Sequence, residues 1–172
     1  MANPKRILCV DCEYDNGRLR EIGLVELDLV TLKPARMDSW LVWDDMRKSI
    51  TPKKKDISLP VWFTNLTGIT NEEYQADALP LSNVKNIILK KYGKKAWYAW
   101  GDDDRLLGKV FLGPFVNYAL VRSHVLNPGE NVGIVDQLPL ELQLSPHRAL
   151  QDALMLARLI RIDFEKIKSQ RE

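Results

Sequence analysis

The chain opens with short apolar runs of strand character and closes on one long run of helical spacing. Arg6 to Asp11 is apolar at nearly every position and rich in β-formers, as expected of a strand buried on both faces. Asn16-Gly17 then marks a turn, so Glu21 to Val30 is expected to fold back as a hairpin partner. Lys33-Pro34 signals another turn, followed by a third strand from about Arg36 to Trp43. Three strands in succession predict an antiparallel meander.

From Thr51 the pattern becomes a Lys- and Pro-rich loop. Ser58 to Thr64 reads as a short helix, and Leu66-Thr67-Gly68-Ile69-Thr70 as a compact loop. Thr70-Asn71-Glu72-Glu73 has the form of a helix cap with acidic first-turn residues. Pro80 to Tyr92 repeats at helical intervals through Leu81, Val84, Ile87, Ile88 and Lys91, and stops at Gly93. Ala96 to Trp100 predicts a further buried strand, Asp103 to about Phe111 a helix, and Asn117 to Val125 another. Asn127-Pro128-Gly129 breaks the chain. Ala149 to Ile167 carries the strongest helical pattern, with Leu150, Ala153, Leu154, Ala157, Ile160, Phe164 and Ile167 on one stripe.

Composition adds bounds. A length of 172 residues suits one domain, 1–172, with a well-buried core. The chain is 45% hydrophobic and 28% charged, ordinary globular values. A net charge of +2 excludes neither a nucleic-acid partner nor a neutral one. Lys53-Lys54-Lys55, Lys90-Lys91 and Lys94-Lys95 are locally basic runs of the kind that usually form solvated surface. No apolar signal region opens the chain, and no stretch approaches about 18 apolar residues, so a cytoplasmic protein without membrane association is expected. Cys9 and Cys12, the only cysteines, lie three apart on a predicted strand and so point to opposite faces. Buried core thiols are expected there, not a shared metal ion.

The chemistry lies in three polar clusters, each where a predicted strand ends or a helix begins. Such termini are where distant segments converge in α/β folds. Asp11 and Glu13, two apart on a strand, project from one face together with Cys9. Asp102, Asp103 and Asp104 follow Trp100-Gly101, and helix capping needs only one of the three. His147 and Asp152 open the last helix, with Ser145 expected as its cap and Pro146 in its first turn. On an ideal helix residues five apart diverge by about 140°, so His147 must lie outside the regular helix if both serve one site. Gathered carboxylates repel one another unless cations hold them, which points to divalent metal.

Val10-Asp11-Cys12-Glu13, Trp100-Gly101-x-x-Asp104 and His147-Arg148-Ala149-Leu150-x-Asp152-Ala153 together resemble the DEDDh branch of 3′-to-5′ exonucleases. This superfamily includes polymerase proofreading exonucleases, oligoribonuclease and the ERI-like RNA-trimming enzymes. Glu21-Ile22-Gly23 and Leu66-Thr67-Gly68-Ile69-Thr70 support the likeness, which spans about residues 6 to 160. The resemblance implies an RNase H-like α/β fold, a mixed five-stranded sheet with an N-terminal antiparallel meander, flanked by helices; that is one strand more than the pattern gives, and it is sought near Val132 to Val135. It implies two Mg²⁺ or Mn²⁺ ions: Asp11, Glu13 and Asp152 holding one, Asp11 shared with the second, and Asp104 supporting that second ion. Asp104 keeps the usual offset from Trp-Gly, and Asp102 is the alternative. By the same likeness neutral His147 is the general base, and nucleoside 5′-monophosphates leave stepwise from the 3′ end.

Substrate contacts are expected from Leu66, Thr67, Gly68 and Ile69, wedged against terminal bases, with core packing as the alternative. Tyr14 is expected to stack on a base or sugar, with packing on the strand as its alternative. Cys12 departs from the family's usual small or apolar residue, and the interval from Asp104 to His147 is short. The implied partners are single-stranded DNA or RNA 3′ ends, met alone or within a larger nucleic-acid-processing complex. An RNase H-like endonuclease and a catalytically silent nucleic-acid-binding module are the rival readings.

Overall fold

The computed structural model describes residues 6–45, 57–93, 95–101, 114–125, 138, 140–144 and 147–170. Strand β1 (Arg6–Asp15) and strand β2 (Arg18–Asp28) form the expected hairpin around Asn16 and Gly17. Both turn residues have positive φ, 48° and 70°, the handedness that matches strand twist in a two-residue turn. The second turn comes earlier than Lys33-Pro34. It occupies residues 29–32, where the Asp28 side chain accepts from the backbone N–H of Val30 and Thr31, and Lys33 already begins β3 (Lys33–Trp43).

The meander is extended on both sides into a six-stranded mixed sheet. The two-residue β4 (Leu79–Pro80) lies parallel to β3, β5 (Trp97–Ala99) parallel to β1, and β6 (Phe115–Asn117) parallel to β5. The order across the sheet is β4-β3-β2-β1-β5-β6. The further strand sought near Val132 to Val135 lies outside the described residues, as do the helix expected over 103–111 and the break at 127–129; β6 is a strand the pattern did not announce.

Helix α1 (Val61–Thr67) starts three residues later than expected, immediately after Pro60. It ends on Gly68 at φ 74°, so Leu66 and Thr67 belong to the helix and only the glycine turn follows. Thr70 then caps α2 (Asn71–Asp77), its side chain accepting from the Glu73 N–H at 3.0 Å. Helix α3 (Leu81–Tyr92) stops at Gly93 as expected, though Ile87 lies exposed and Tyr92 continues the buried stripe. Helices α4 (Tyr118–Val125) and α5 (Ala149–Ser169) complete the described elements, with a short 3₁₀ turn at Leu140–Leu142.

Strand alternation divides the core in two. Leu8, Val10, Cys12 and Leu24 face α3, packing on Val84 and Ile88. Cys9, Val25 and Leu27 face α5, packing on Leu156, Leu159 and Ile160. The two cysteines therefore lie on opposite faces, both buried and neither in a disulfide. A third cluster joins α1 and α2 to β3 through Phe63, Ile69, Tyr74 and Leu41. The buried stripe of α5 is wider than its heptad-like pattern suggested, while Phe164 faces solvent. Lys91 and Lys95, members of the basic runs, pair with Asp38 and Glu26. Among the described residues no helix is long and apolar enough to cross a membrane.

Asp163 shows what a buried polar group does here. It is 1% exposed and receives Arg122 Nε at 2.8 Å and the Tyr118 hydroxyl at 3.0 Å, pinning α4 to α5. Removing the carboxylate strands a buried guanidinium. Asp163→Ala is expected to lower unfolding free energy by about 3–5 kcal/mol in a urea titration, and a loss below about 1 kcal/mol would show that the pair does not hold α4 in place.

Candidate metal centre

Asp11 and Glu13 lie within the second half of β1, which runs past the expected end at Asp11 to Asp15; both face the α5 side of the sheet and are half-buried. Their partners on β2 are set by a bulge between Glu13 and Tyr14. Beyond it the pairing is Glu13 with Glu21 and Asp11 with Gly23, so those four positions share one face. Gly23 is there for space. A Cβ on it would sit 2.1 Å from the Ala149 carbonyl carbon and 2.2 Å from both the Ala149 oxygen and the Leu150 nitrogen. The first turn of α5 therefore rests directly on the β2 backbone, beside the β1 carboxylates.

The end of α5 is closed by a residue far away in sequence. Arg148 is the N-cap position, but no side chain of its own segment caps the helix. Glu21, 1% exposed, accepts instead from the Ala149 N–H at 3.0 Å, which places an anion at the positive helix end. The same carboxylate is gripped by Arg148, with Nε at 3.2 and 3.3 Å and the second guanidinium nitrogen at 3.0 Å, and accepts from Ser39 Oγ at 3.0 Å. Arg148 also reaches Glu73 of α2 at 3.5 Å. Burial alone would lower the Arg148 pKa, but Glu21, Glu73 and Glu13 outweigh it and hold the guanidinium above its ordinary value.

His147 lies outside the helix, as the angular argument requires. Ser145 is not the helix cap: α5 begins at Ala149, and Ser145 and Pro146 lie outside the described residues. His147 adopts φ 67°, a left-handed conformation that costs a non-glycine residue about 1–3 kcal/mol. Its N–H donates to Asp152 Oδ2 at 2.9 Å, which holds the turn. Asp152 is itself raised above the usual carboxylate range, chiefly by burial. The His147 N–H and the His147 charge pull it back, and Glu21 adds to the rise. Its other oxygen, Oδ1, is buried without a hydrogen-bond partner.

These elements bring one donor atom each of Glu13, His147 and Asp152 within 4.8 Å of one another. The two carboxylates supply hard oxygen donors and the imidazole a borderline nitrogen, and a buried oxygen left unsatisfied is the kind of atom a cation completes. Asp11 stands two residues back on the same strand face. Asp102, Asp103 and Asp104 lie outside the described residues; the chain approaches them from β5, parallel to β1, through Gly101 at φ 84°.

The remaining expected contacts divide. Leu66 and Gly68 are exposed, whereas Thr67 and Ile69 are buried, Ile69 within the third core cluster. Thr67 Oγ1 donates to the Phe63 carbonyl and accepts from the Ile69 N–H, bracing the turn from below. Tyr14 packs half-buried against the α3-side cluster, across the sheet from Glu13. Glu21, Gly23 and Arg148 lie within the familial strings, but sequence alone gave them no role. Pairing the two-residue turn without a bulge would have set Arg20 opposite Glu13 and hidden them.

No protein-family model matches the sequence, and no curated protein matches it. Solved structures match the fold. The nuclease domain of 3′hExo, a DEDDh family member bound to rAMP, superposes with a TM-score of 0.72 at 18% identity, over 96% of this chain and 94% of that one. A 3′-exonuclease engaged in 3′-end specific recognition of a histone mRNA stem-loop gives 0.71 at 17% identity, over 96% and 84%. The zinc-bound E. coli ExoI–ssDNA complex gives 0.64 at 12% identity, over 98% of this chain but 42% of that one. At these identities the likeness is one of fold, the RNase H-like exonuclease fold.

Gly23→Ala tests the seating of α5. It is expected to destabilise the protein by about 3 kcal/mol in thermal or urea unfolding, because backbone rather than a pliant side chain must move. An unchanged midpoint would mean that α5 does not rest on β2.

Proposed function

We propose that this chain, read as one domain over 1–172, is a divalent-metal-dependent 3′-to-5′ exonuclease. It takes single-stranded DNA or RNA ends and releases nucleoside 5′-monophosphates. The observation that carries this reading is the convergence of Glu13, His147 and Asp152 at the start of α5, with a partnerless buried oxygen among them. The fold shared with 3′-exonucleases supports it.

Asp11, Glu13 and Asp152 are the residues that would hold Mg²⁺ or Mn²⁺, with Asp104 completing the set. Two such ions supply charge stabilisation to the attacking and leaving oxygens of an in-line phosphoryl displacement. The protein's own contribution is positional. The Asp152 carboxylate fixes the His147 backbone in its left-handed turn, so the imidazole stands among the acids and not along the helix. His147 is exposed, which gives water access to it. Its neutral ring takes a proton from the attacking water as the new bond to phosphorus forms and the bond to the preceding nucleotide's 3′ oxygen breaks. The neighbouring carboxylates then stabilise the imidazolium. Leu66 and Gly68 meet the terminal bases in this reading, while Thr67 and Ile69 hold the turn that presents them.

A gel time course on 5′-labelled single-stranded DNA and RNA of equal sequence, with Mg²⁺, Mn²⁺ or EDTA, tests it. The expected result is a metal-dependent ladder shortening from the 3′ end. Asp11→Asn and His147→Ala should each slow it by at least about 100-fold. Internal cuts would favour an endonuclease. Intact oligonucleotide in every lane, with binding unaffected by Asp11→Asn, would sink the catalytic reading in favour of a binding module.

A further inference from the structure

Glu21 brings a further carboxylate to the site's face, directly opposite Glu13 in the β1–β2 register. It is fully buried, and its charge bears on Asp152. Left to itself it would be a further anionic ligand, or a repulsive neighbour. Three groups prevent that: the Ala149 N–H at the helix end, the Ser39 hydroxyl and the forked Arg148 guanidinium. Arg148 is placed between the strained His147 and the first helical residue, and its charge is felt by Glu13 as well as Glu21. One cation thus pairs with a buried structural acid and with Glu73 of α2, while its charge also reaches Glu13, the candidate metal ligand.

We propose that Glu21 and Arg148 are a positioning pair that sets how tightly the site holds divalent cations, Arg148 keeping Glu21 out of the ligand set while fixing His147 and Asp152. This rests on the metal reading given above. The positive charge of Arg148 opposes cation binding, and the fork geometry serves catalysis, so the two roles separate by substitution. Arg148→Met leaves Glu21 without a cation, and Mn²⁺ is held at least about tenfold tighter, the effect of one unit charge about 6 Å from a divalent ion even at the dielectric of bulk water. Turnover nonetheless falls, because the fork that draws the segment carrying His147 onto Glu21 is gone, and the bond from the His147 N–H to Asp152 alone holds the turn. Arg148→Lys keeps the charge and loses the fork, so Mn²⁺ affinity stays within about twofold of the wild type while turnover falls equally. Glu21→Gln removes one negative charge beside the site and leaves the Arg148 charge to Glu73 and Glu13, so Mn²⁺ affinity drops by at least about tenfold.

The test is calorimetric Mn²⁺ binding to the metal-stripped wild type and the three variants, with circular dichroism melting of each and turnover on a single-stranded oligonucleotide. Affinity in the order Arg148→Met, then wild type and Arg148→Lys together, then Glu21→Gln supports the proposal. Weaker binding by Arg148→Met, or equal affinities for the Met and Lys variants, would overturn it, leaving the pair a structural clamp. Should Glu21→Gln fail to fold, the two Arg148 variants decide alone, since that side chain is 34% exposed. A wild type that binds Mn²⁺ in the expected series but cleaves nothing sinks the nuclease reading and leaves this proposal standing. A wild type that binds no Mn²⁺ sinks both.

Discussion

The contact between the first turn of α5 and the backbone of β2 at Gly23 is the constraint from which the site follows. Only a position without a Cβ lets a helix end approach a strand this closely. That approach carries Asp152 and His147 to within metal-binding distance of Glu13, although about 135 residues separate the two segments. It also leaves the helix without a cap of its own, and Glu21 from the strand beneath supplies one. Packing and electrostatics therefore depend on the same two β2 positions.

The acids are stabilised in different ways. Glu21 has every oxygen engaged by Arg148, Ala149 and Ser39, and its negative charge meets the helix dipole. Asp152 has one oxygen on the His147 N–H and one buried oxygen with nothing. A satisfied buried carboxylate belongs to the scaffold; a half-satisfied one asks for a ligand. The left-handed His147 is the strain that accompanies this arrangement, and the bond to Asp152 is what sustains it.

Buried polar groups elsewhere pin the helices that flank this platform. Arg20 pairs with Asp15 at 3.0 Å and donates to the Tyr74 hydroxyl at 2.9 Å, and Tyr74 in turn donates to the Val42 carbonyl. That chain ties the β1–β2 hairpin to α2, whose Glu73 reaches Arg148. Helix α2 is thus linked by side chains both to the hairpin and to the candidate metal centre. At the other end of the sheet, Glu26 lies buried among Arg6, Arg36 and Lys95, joining three segments far from the chemistry.

Much of this was legible in local pattern. Period-two and period-3.6 spacing located the meander, α3 and α5, and Asn16-Gly17 and Gly93 marked their ends. Strand alternation put Asp11 and Glu13 on one face and parted Cys9 from Cys12. The 100° step of the helix placed His147 outside α5. These follow from bonds between near neighbours, which a short window of residues determines. The one-residue bulge at Glu13/Tyr14 does not. It inserts Arg20 as the unpaired residue, whose charge is met by Asp15 and Tyr74, the latter 54 residues on. That slip, and not any local propensity, turned Glu21 and Gly23 to face the acids, because shifting register by one exchanges the residues opposed across a hairpin. The seat for α5 and the Glu21–Arg148 pair, 127 residues apart, were settled only when both segments met in three dimensions.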